Sequence, residues 1–297
     1  MFDLTHCELC PRRCGADRTK RAGRCGAAGT LLVARAALHF WEEPCLSGQK
    51  GSGTVFFTGC SLGCCYCQNY PISQQGVGKA IDAGRLAQIF LELQQKGAAN
   101  LNLVTATQWL PWVIQALDAA RAAGLRLPVV WNTGGYETPR TIQALQGYVD
   151  VWLCDVKYVS PQLAGRYSGA PDYFAVCQSA VHSMLAQAGR PVFDGEGYLQ
   201  KGVILRHLAL PGALADSKAV LDFMAGLPAG SFIPSFMSQY TPFYKAARMK
   251  PLDRRISTWE YRRLIDHAVS LGLTEGYMQQ KSSAREEYTP PFDLEGV

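Results

Sequence analysis

Apolar positions recur along the chain at two periods. Residues 53–59, Gly-Thr-Val-Phe-Phe-Thr-Gly, are a β-branched and aromatic run between glycines, which predicts a buried strand. Over 82–96, Leu86, Ile89, Phe90 and Leu93 fall at helical spacing, with Asp82 placed to cap the start and Gly97 just past the end. Beyond it the pattern predicts a strand over 101–104, a helix over 109–123, a strand over 127–131, a helix over 138–146 and a strand over 149–154. Helices over 172–188 and 214–225 bracket a strand over 202–208. Ser257-Thr258-Trp259-Glu260 is a capping-box start for a helix reaching about 271. Strands alternating with helices predict an α/β fold on a parallel sheet, and about six right-handed units suit a partial TIM-like (βα)6 barrel. Residues 1–50 lie outside that series. They hold too few apolar residues for a core of their own, so the expected division is a Cys-rich, metal-held appendage over 1–50 and the barrel over 51–297.

Composition narrows the class. The chain has 297 residues, 48% of them hydrophobic and 18% charged, a balance that excludes disorder. The formal charge of +5 comes without blocks of like charge, apart from a short basic stretch over 12–24, so nucleic acid is disfavoured as a partner. No run of about 18 apolar residues predicts a membrane span, and the first residues lack the basic and apolar regions of a secretory signal. A cytoplasmic location is expected.

Cysteine placement changes the picture most. There are 11, an odd number, and nine fall within the first 67 residues. In a reducing compartment such clustering points to metal ligation or catalysis rather than disulfides. Cys7, Cys10, Cys14 and Cys25 supply four thiolates on short turns, enough to close a site for zinc or for an iron-sulfur cluster; spacing alone does not separate the two. Cys60, Cys64 and Cys67 form a C-x3-C-x2-C set after the 53–59 strand, with Cys65 inside it. A 4Fe-4S cluster on three thiolates keeps one iron open to a small molecule, and the C-terminal end of a parallel strand is where α/β proteins bind ligands.

With Tyr66 included, Cys60, Cys64, Tyr66 and Cys67 match C-x3-C-x-aromatic-C, and the chain resembles the radical S-adenosylmethionine (SAM) superfamily. Further stretches are similar to the PflX group related to pyruvate formate-lyase activating enzyme. They are the Cys7 to Cys25 segment, Glu42-Glu43-Pro44, 51–57, Cys67-Gln68-Asn69, Asn132-Thr133-Gly134-Gly135-Tyr136-Glu137, Asp155-Val156-Lys157-Tyr158, 206–212 and Met237-Ser238-Gln239-Tyr240. The resemblance implies a partial barrel and a 4Fe-4S cluster whose open iron chelates SAM. It also implies reductive cleavage of SAM to a 5'-deoxyadenosyl radical and abstraction of hydrogen from a protein or peptide, glycyl-radical-enzyme activation being one form. An electron donor such as flavodoxin or ferredoxin follows from the same likeness. Tyr66 is expected beside the adenine, and Cys65 is expected to be a buried, inert thiol.

Polar residues at strand ends are the expected cofactor contacts: Asn132 and Thr133 after one strand, Asp155 and Lys157 after the next, Arg206 with His207 after the third. Arg206 offers either a carboxylate clamp or a staple between loops; His207 reads as structural. Two departures stand out. Activating enzymes carry Gly-Gly-Glu where Val104-Thr105-Ala106-Thr107-Gln108 stands here, so Thr105 and Thr107 are left to meet the SAM amino group. Asn132 stands where those enzymes often have Asp, one negative charge fewer. Two other functions fit the residues: an auxiliary-cluster radical SAM enzyme acting on a small molecule or ribosomal peptide, and a non-catalytic zinc-binding interaction module.

Overall fold

The computed structural model describes residues 3–279 and 289–297. Its strands are β1 (Leu31–His39), β2 (Ser52–Phe57), β3 (Lys79–Ile81), β4 (Leu101–Val104), β5 (Val129–Thr133), β6 (Val151–Asp155), β7 (Val192–Phe193), β8 (Leu199–Leu208), β9 (Ile233–Met237) and β10 (Tyr277–Met278). Sheet order is β10-β9-β8-β6-β5-β4-β2-β1-β3, with β7 off that path and paired to β8. Neighbours from β2 to β10 run parallel. The sheet stays open, ending at β10 on one side and at the antiparallel pair β1 and β3 on the other. Six strands are each followed by a helix packed on the sheet: Ala83–Gln95, Leu110–Ala122, Pro139–Ala144, Tyr173–Ala188, Leu214–Ala225 and Thr258–Ser270. This is an α/β partial barrel, as the alternation predicts.

The helix starts form where the sequence places them. Asp82 Oδ1 accepts from the Arg85 N–H at 2.7 Å. Ser257 and Glu260 exchange the two bonds of a capping box, each satisfying an N–H that helix geometry leaves without a partner.

Two expectations are corrected. Residues 31–39, assigned by sequence to the appendage, form β1 and pair with β2 from Val33 opposite Phe57 to His39 opposite Ser52. Leu31, Val33, Ala34 and Ala36 are buried there, so the sheet begins well before residue 50. β9 was not predicted, because Pro234 interrupts its strand signal; burial of all five residues between β8 and β10 overrides that signal.

Strand alternation sets the inner and outer faces. Val130, Val151, Leu153 and Ile204 cluster with Cys45 and Leu46 of the short helix Pro44–Ser47, which fills the base of the barrel. Trp131, Trp152, Cys154, Val203 and Leu205 join the core under the helices. Each such side chain contributes about 1.5–3 kcal/mol on burial. The same parity carries Asn132, Asp155 and Arg206 inward at the strand ends. Among the described residues of 3–30 there is no helix or strand, yet this segment lies against the barrel through buried Cys7, Leu9, Arg18 and Ala27. No helix among the described residues is long and apolar enough to cross a membrane.

Candidate functional site

A cavity of about 210 Å³ opens at the C-terminal ends of the parallel strands, lined by Cys60, Cys64 and Cys67 together with Thr105, Asn132, Asp155, Lys157 and Arg206. The loop carrying the thiols leaves β2 through Gly59, whose φ of +90° and close approach to Cys25 exclude a side chain: an added Cβ would lie 2.6 Å from the Cys25 carbonyl oxygen. The Cys60 N–H donates to that same oxygen at 3.1 Å, and the Cys67 N–H donates to the Cys64 carbonyl at 3.2 Å. Gln74 Nε2 donates to the Cys64 carbonyl at 3.0 Å, Ser73 Oγ to Cys67 Sγ at 3.4 Å, and Ser168 Oγ lies 2.9 Å from Cys64 Sγ. Cys65 stands apart from this set. It packs in the core, donating its N–H to the Tyr167 carbonyl and accepting from the Ala246 N–H.

Burial pushes the Cys67 thiol up to about 11 and the Cys60 thiol higher, with the neighbouring thiols adding to the effect; Lys157 pulls both the other way. Thiols shifted upward like Cys60 and Cys67 ionise readily only against a positive partner, which an iron-sulfur cluster would supply. Asn69 Oδ1, buried and without a hydrogen-bond partner, belongs to a residue that lines the same cavity. Among the described residues, no three Cys, His, Asp or Glu side chains stand together as the ligands of a single metal ion. The three sulfurs instead border the open space that a four-iron cube requires, so the residues present fit the group.

A charge network forms another part of the cavity wall. Asp155 accepts from Lys157 Nζ at 2.6 Å through Oδ2 and from Arg206 Nε at 2.8 Å through Oδ1. Arg206 also donates to Glu42 Oε2 at 3.1 Å and to Asn132 Oδ1 at 2.7 Å. Glu42 Oε1 in turn accepts from Asn132 Nδ2 and Asn102 Nδ2. Burial opposes the Asp155 charge, but Arg206 and Lys157 outweigh it and bring its carboxyl down to about 2. Lys157 and Arg206 are held above their ordinary values by Asp155, against their own burial.

These contacts show what four of the expected cofactor residues already hold. Arg206 donates from Nε and both terminal nitrogens to Asp155, Glu42 and Asn132, so it staples the wall of the cavity that it also lines. Asn132 likewise spends both ends of its amide on Glu42 and Arg206. Thr107 does not line the cavity; its hydroxyl and that of Thr133, at 2.7 Å, donate to Glu137 Oε1. Parity is the reason for Thr133, which lies out of phase with Asn132 and turns its hydroxyl from the cavity it borders. Glu137 is fully enclosed, and burial pushes its carboxyl up to about 7 although both threonines oppose the shift.

Thr105 does line the cavity, with φ of +56°, a left-handed conformation that costs a β-branched residue about 1–3 kcal/mol. The strain is held in place by Gln108, whose Nε2 donates to the carbonyls of Thr58, Gly59 and Thr105 at 2.7–3.0 Å. The sequence departure at Gln108 therefore pins the backbone that enters the thiol loop. Tyr66 lines the cavity with its ring, while its hydroxyl accepts from Tyr158 at 2.5 Å. His207 is buried with Nδ1 at 2.8 Å from the Val156 carbonyl, and burial takes its pKa down to about 4, the structural role expected.

Glu42 was missed as a site residue. Its signal was available in the acidic pair before Pro44, but nothing local showed that residue 42 would reach Arg206, 164 positions away. The four N-terminal cysteines are brought together: Cys7, Cys10, Cys14 and Cys25 line a second cavity of about 10 Å³ with Arg18, Gln108 and Ser61. Arg18 is 1% exposed and donates to the Gln108 carbonyl at 2.6 Å, so the basic stretch is not simply a solvated loop.

No protein-family model matches the chain. An uncharacterized protein of Methanocaldococcus jannaschii is 28% identical over 276 residues, which is 90% of this chain and 75% of that protein. Among solved structures, a domain of pyruvate-formate lyase-activating enzyme from Bacteroides vulgatus aligns at a TM-score of 0.42 and 14% identity, over 58% of this chain and 92% of that one. SuiB of Streptococcus suis bound to precursor peptide SuiA gives 0.46 and 12%, over 71% of this chain and 43% of SuiB. A radical SAM methyltransferase from Sphaerobacter thermophilus gives 0.48 and 13%, over 77% and 66%.

Proposed function

We propose that the protein is a radical SAM enzyme that binds a 4Fe-4S cluster on Cys60, Cys64 and Cys67 and takes SAM into the adjoining cavity. One observation carries the reading: the three motif thiols border one cavity at the strand ends, while the fourth thiol of the loop, Cys65, packs into the core. When bound, the cluster supplies the electron that splits SAM into methionine and a 5'-deoxyadenosyl radical. The chain's own residues hold and shield. Lys157 offers its ammonium to the thiols and to the SAM carboxylate, and Asp155 fixes it in place at 2.6 Å. Glu42 and Asn132 align Arg206 so that Asp155 keeps its charge. Tyr66, Leu62 and Val104 line the cavity with apolar surface that excludes water from a reactive intermediate.

The substrate read for this site is a protein or peptide segment, with an electron donor such as flavodoxin or ferredoxin as the second partner. Half-exposed Trp41 lines the cavity and half-exposed Phe40 precedes it, an aromatic surface suited to peptide side chains. Activation of a glycyl-radical enzyme is the form the sequence resemblance favours. The test is anaerobic reconstitution to about four irons at this site, followed by SAM and dithionite with assay of 5'-deoxyadenosine. Product that disappears in Cys60→Ala supports the reading. An iron-loaded protein that neither binds SAM nor forms product overturns it.

A further inference from the structure

The radical chemistry leaves the segment over 289–297 without a task, although it reaches the cavity. This segment has no helix or strand of its own. β3 pairs with β1 only as far as Val33, opposite Lys79. Beyond that point the segment runs along β1 instead: the Leu294 N–H donates to the Ala34 carbonyl at 3.2 Å, and the Ala36 N–H donates to the Glu295 carbonyl at 2.8 Å. Arg35 Nη1 donates to the Pro291 carbonyl at 3.1 Å and to Asp293 Oδ1 at 2.5 Å, while Nη2 pairs with Glu295. Lys79 Nζ and Arg85 Nη2 donate to the carbonyls of Val297 and Gly296 at 2.7 and 3.1 Å. The other end of the segment enters the site. Pro290 lines the cavity, and the Phe292 ring meets that of Phe56, itself a cavity residue, edge-on at 5.6 Å, against the cluster of Ala34, Ile72 and Val104.

We propose that residues 290–297 form a lid on the cavity with Arg35 as its clasp: closed, the lid seals the β1 side; open, it admits and releases the cofactor. The proposal rests on the enzymatic reading for the identity of that cofactor, and on the contacts of the segment for its motion. Those contacts are weaker than the ladders of the sheet. Two backbone bonds tie the segment to β1. Asp293 and Glu295 are about half exposed, and ion pairs in water contribute little and are screened by salt. Leu294 has φ of +66°, a left-handed conformation that strains a bulky side chain. A segment with few buried contacts and a strained backbone opens locally while the sheet beside it stays folded.

Closure serves the chemistry of the site. Phe56 and Val104 line the cavity, and Phe292 packs on the apolar cluster to which they belong, so the closed lid keeps water from the flank of a space in which a carbon radical would form. A lid that shuts behind the cofactor also makes the exit of products wait for its opening. Gly296 gives a way to spring it. At φ of +75° it lies so close to β1 that an added Cβ would stand 2.0 Å from the Ala36 carbonyl oxygen, so the closed lid has no room for a side chain there.

The experiment reads access to the cavity in two ways on the whole chain. In the reduced, iron-free protein, alkylation of the cavity thiol Cys67 by a maleimide is followed by peptide mass spectrometry, with exposed Cys14 as the internal control. Gly296→Ala should speed Cys67 alkylation roughly tenfold. The paired change Asp293→Asn with Glu295→Gln, confined to half-exposed side chains and so safe for folding, should speed it about threefold. Cys14 should react at the wild-type rate in both. High salt should bring the wild-type chain toward the paired variant and leave that variant nearly unchanged. In cluster-loaded protein, release of SAM after rapid dilution should quicken in the same order. Wild-type alkylation rates at Cys67 in both variants, equal acceleration at Cys14 and Cys67, or faster alkylation with unchanged SAM release overturns the proposal. Faster alkylation of Cys67 in a chain that takes up no SAM keeps the lid and refutes the enzymatic reading instead.

Discussion

The two cysteine sets of this chain have the same chemistry and opposite surroundings. Cys60, Cys64 and Cys67 stand at the mouth of a parallel sheet, on a cavity of about 210 Å³ shared with Asp155 and Lys157. Cys7, Cys10, Cys14 and Cys25 line a much narrower cavity in a segment of turns, with Cys14 exposed. Three thiols with room beside them suit a reactive centre that takes a ligand, whereas four thiols on turns have no comparable space beside them. The surrounding fold, more than ligand type, separates the two roles. The regions also touch, the Cys60 N–H donating to the Cys25 carbonyl at 3.1 Å, so the two sets are joined through the backbone.

Substitution at the ligands should break this contrast most sharply. Cys60→Ala, Cys64→Ala and Cys67→Ala should each reduce 5'-deoxyadenosine formation to background with loss of iron. Cys65→Ala should keep both, at a stability cost of roughly 1 kcal/mol. Equal loss in the Cys65 variant would place that thiol among the ligands.

Asp155→Asn should come next, destabilising the chain by about 3–5 kcal/mol in denaturant titration because it leaves Lys157 and Arg206 as buried cations without their shared carboxylate. The Asp155 carboxyl is lowered in the fold to about 2. Its contribution is therefore present above its unfolded pKa near 4 and fades as the pH falls toward 2, and the Asn variant should lack that acid dependence.

Glu137 behaves with the opposite sign. Its carboxyl is raised from 4.5 to about 7, so its contribution to stability is complete below pH 4.5 and lost as the pH rises through 7. Between those limits the wild-type chain should lose about 3 kcal/mol relative to Glu137→Gln, read from unfolding at several pH values. A flat difference would mean that water reaches the Glu137 carboxyl behind the cavity wall.

The smallest effect is expected at Thr105→Gly. Relief of the left-handed conformation should raise stability by roughly 1 kcal/mol, while weaker SAM binding in equilibrium dialysis would show that the strained backbone serves the cavity.

Much of this molecule was legible along the chain because its signals are local. Asp82 and Ser257 cap the helices they precede, the apolar periods fix strand and helix alternation, and the spacing of Cys60, Cys64 and Cys67 marks one loop. β1 and β9 were less legible, since one sits in a segment read as an appendage and the other contains Pro234. Thr107 was misplaced because a loop residue has no parity from which to infer direction, and its partner Glu137 lies 30 positions on.

The sequence by itself determined the α/β alternation, the two sets of thiols and the strand-end positions of Asn132, Asp155 and Arg206. Only the tertiary structure decided that Arg206 staples Glu42, Asn132 and Asp155 together, that Cys65 turns into the core, and that one thiol set borders a wide cavity and the other a narrow one. The physical reason is range. Caps, turns and periodicity act over a few residues, whereas an ion pair or a cavity wall joins groups more than a hundred positions apart, and their desolvation and charge exist only once the sheet has curved to bring them together.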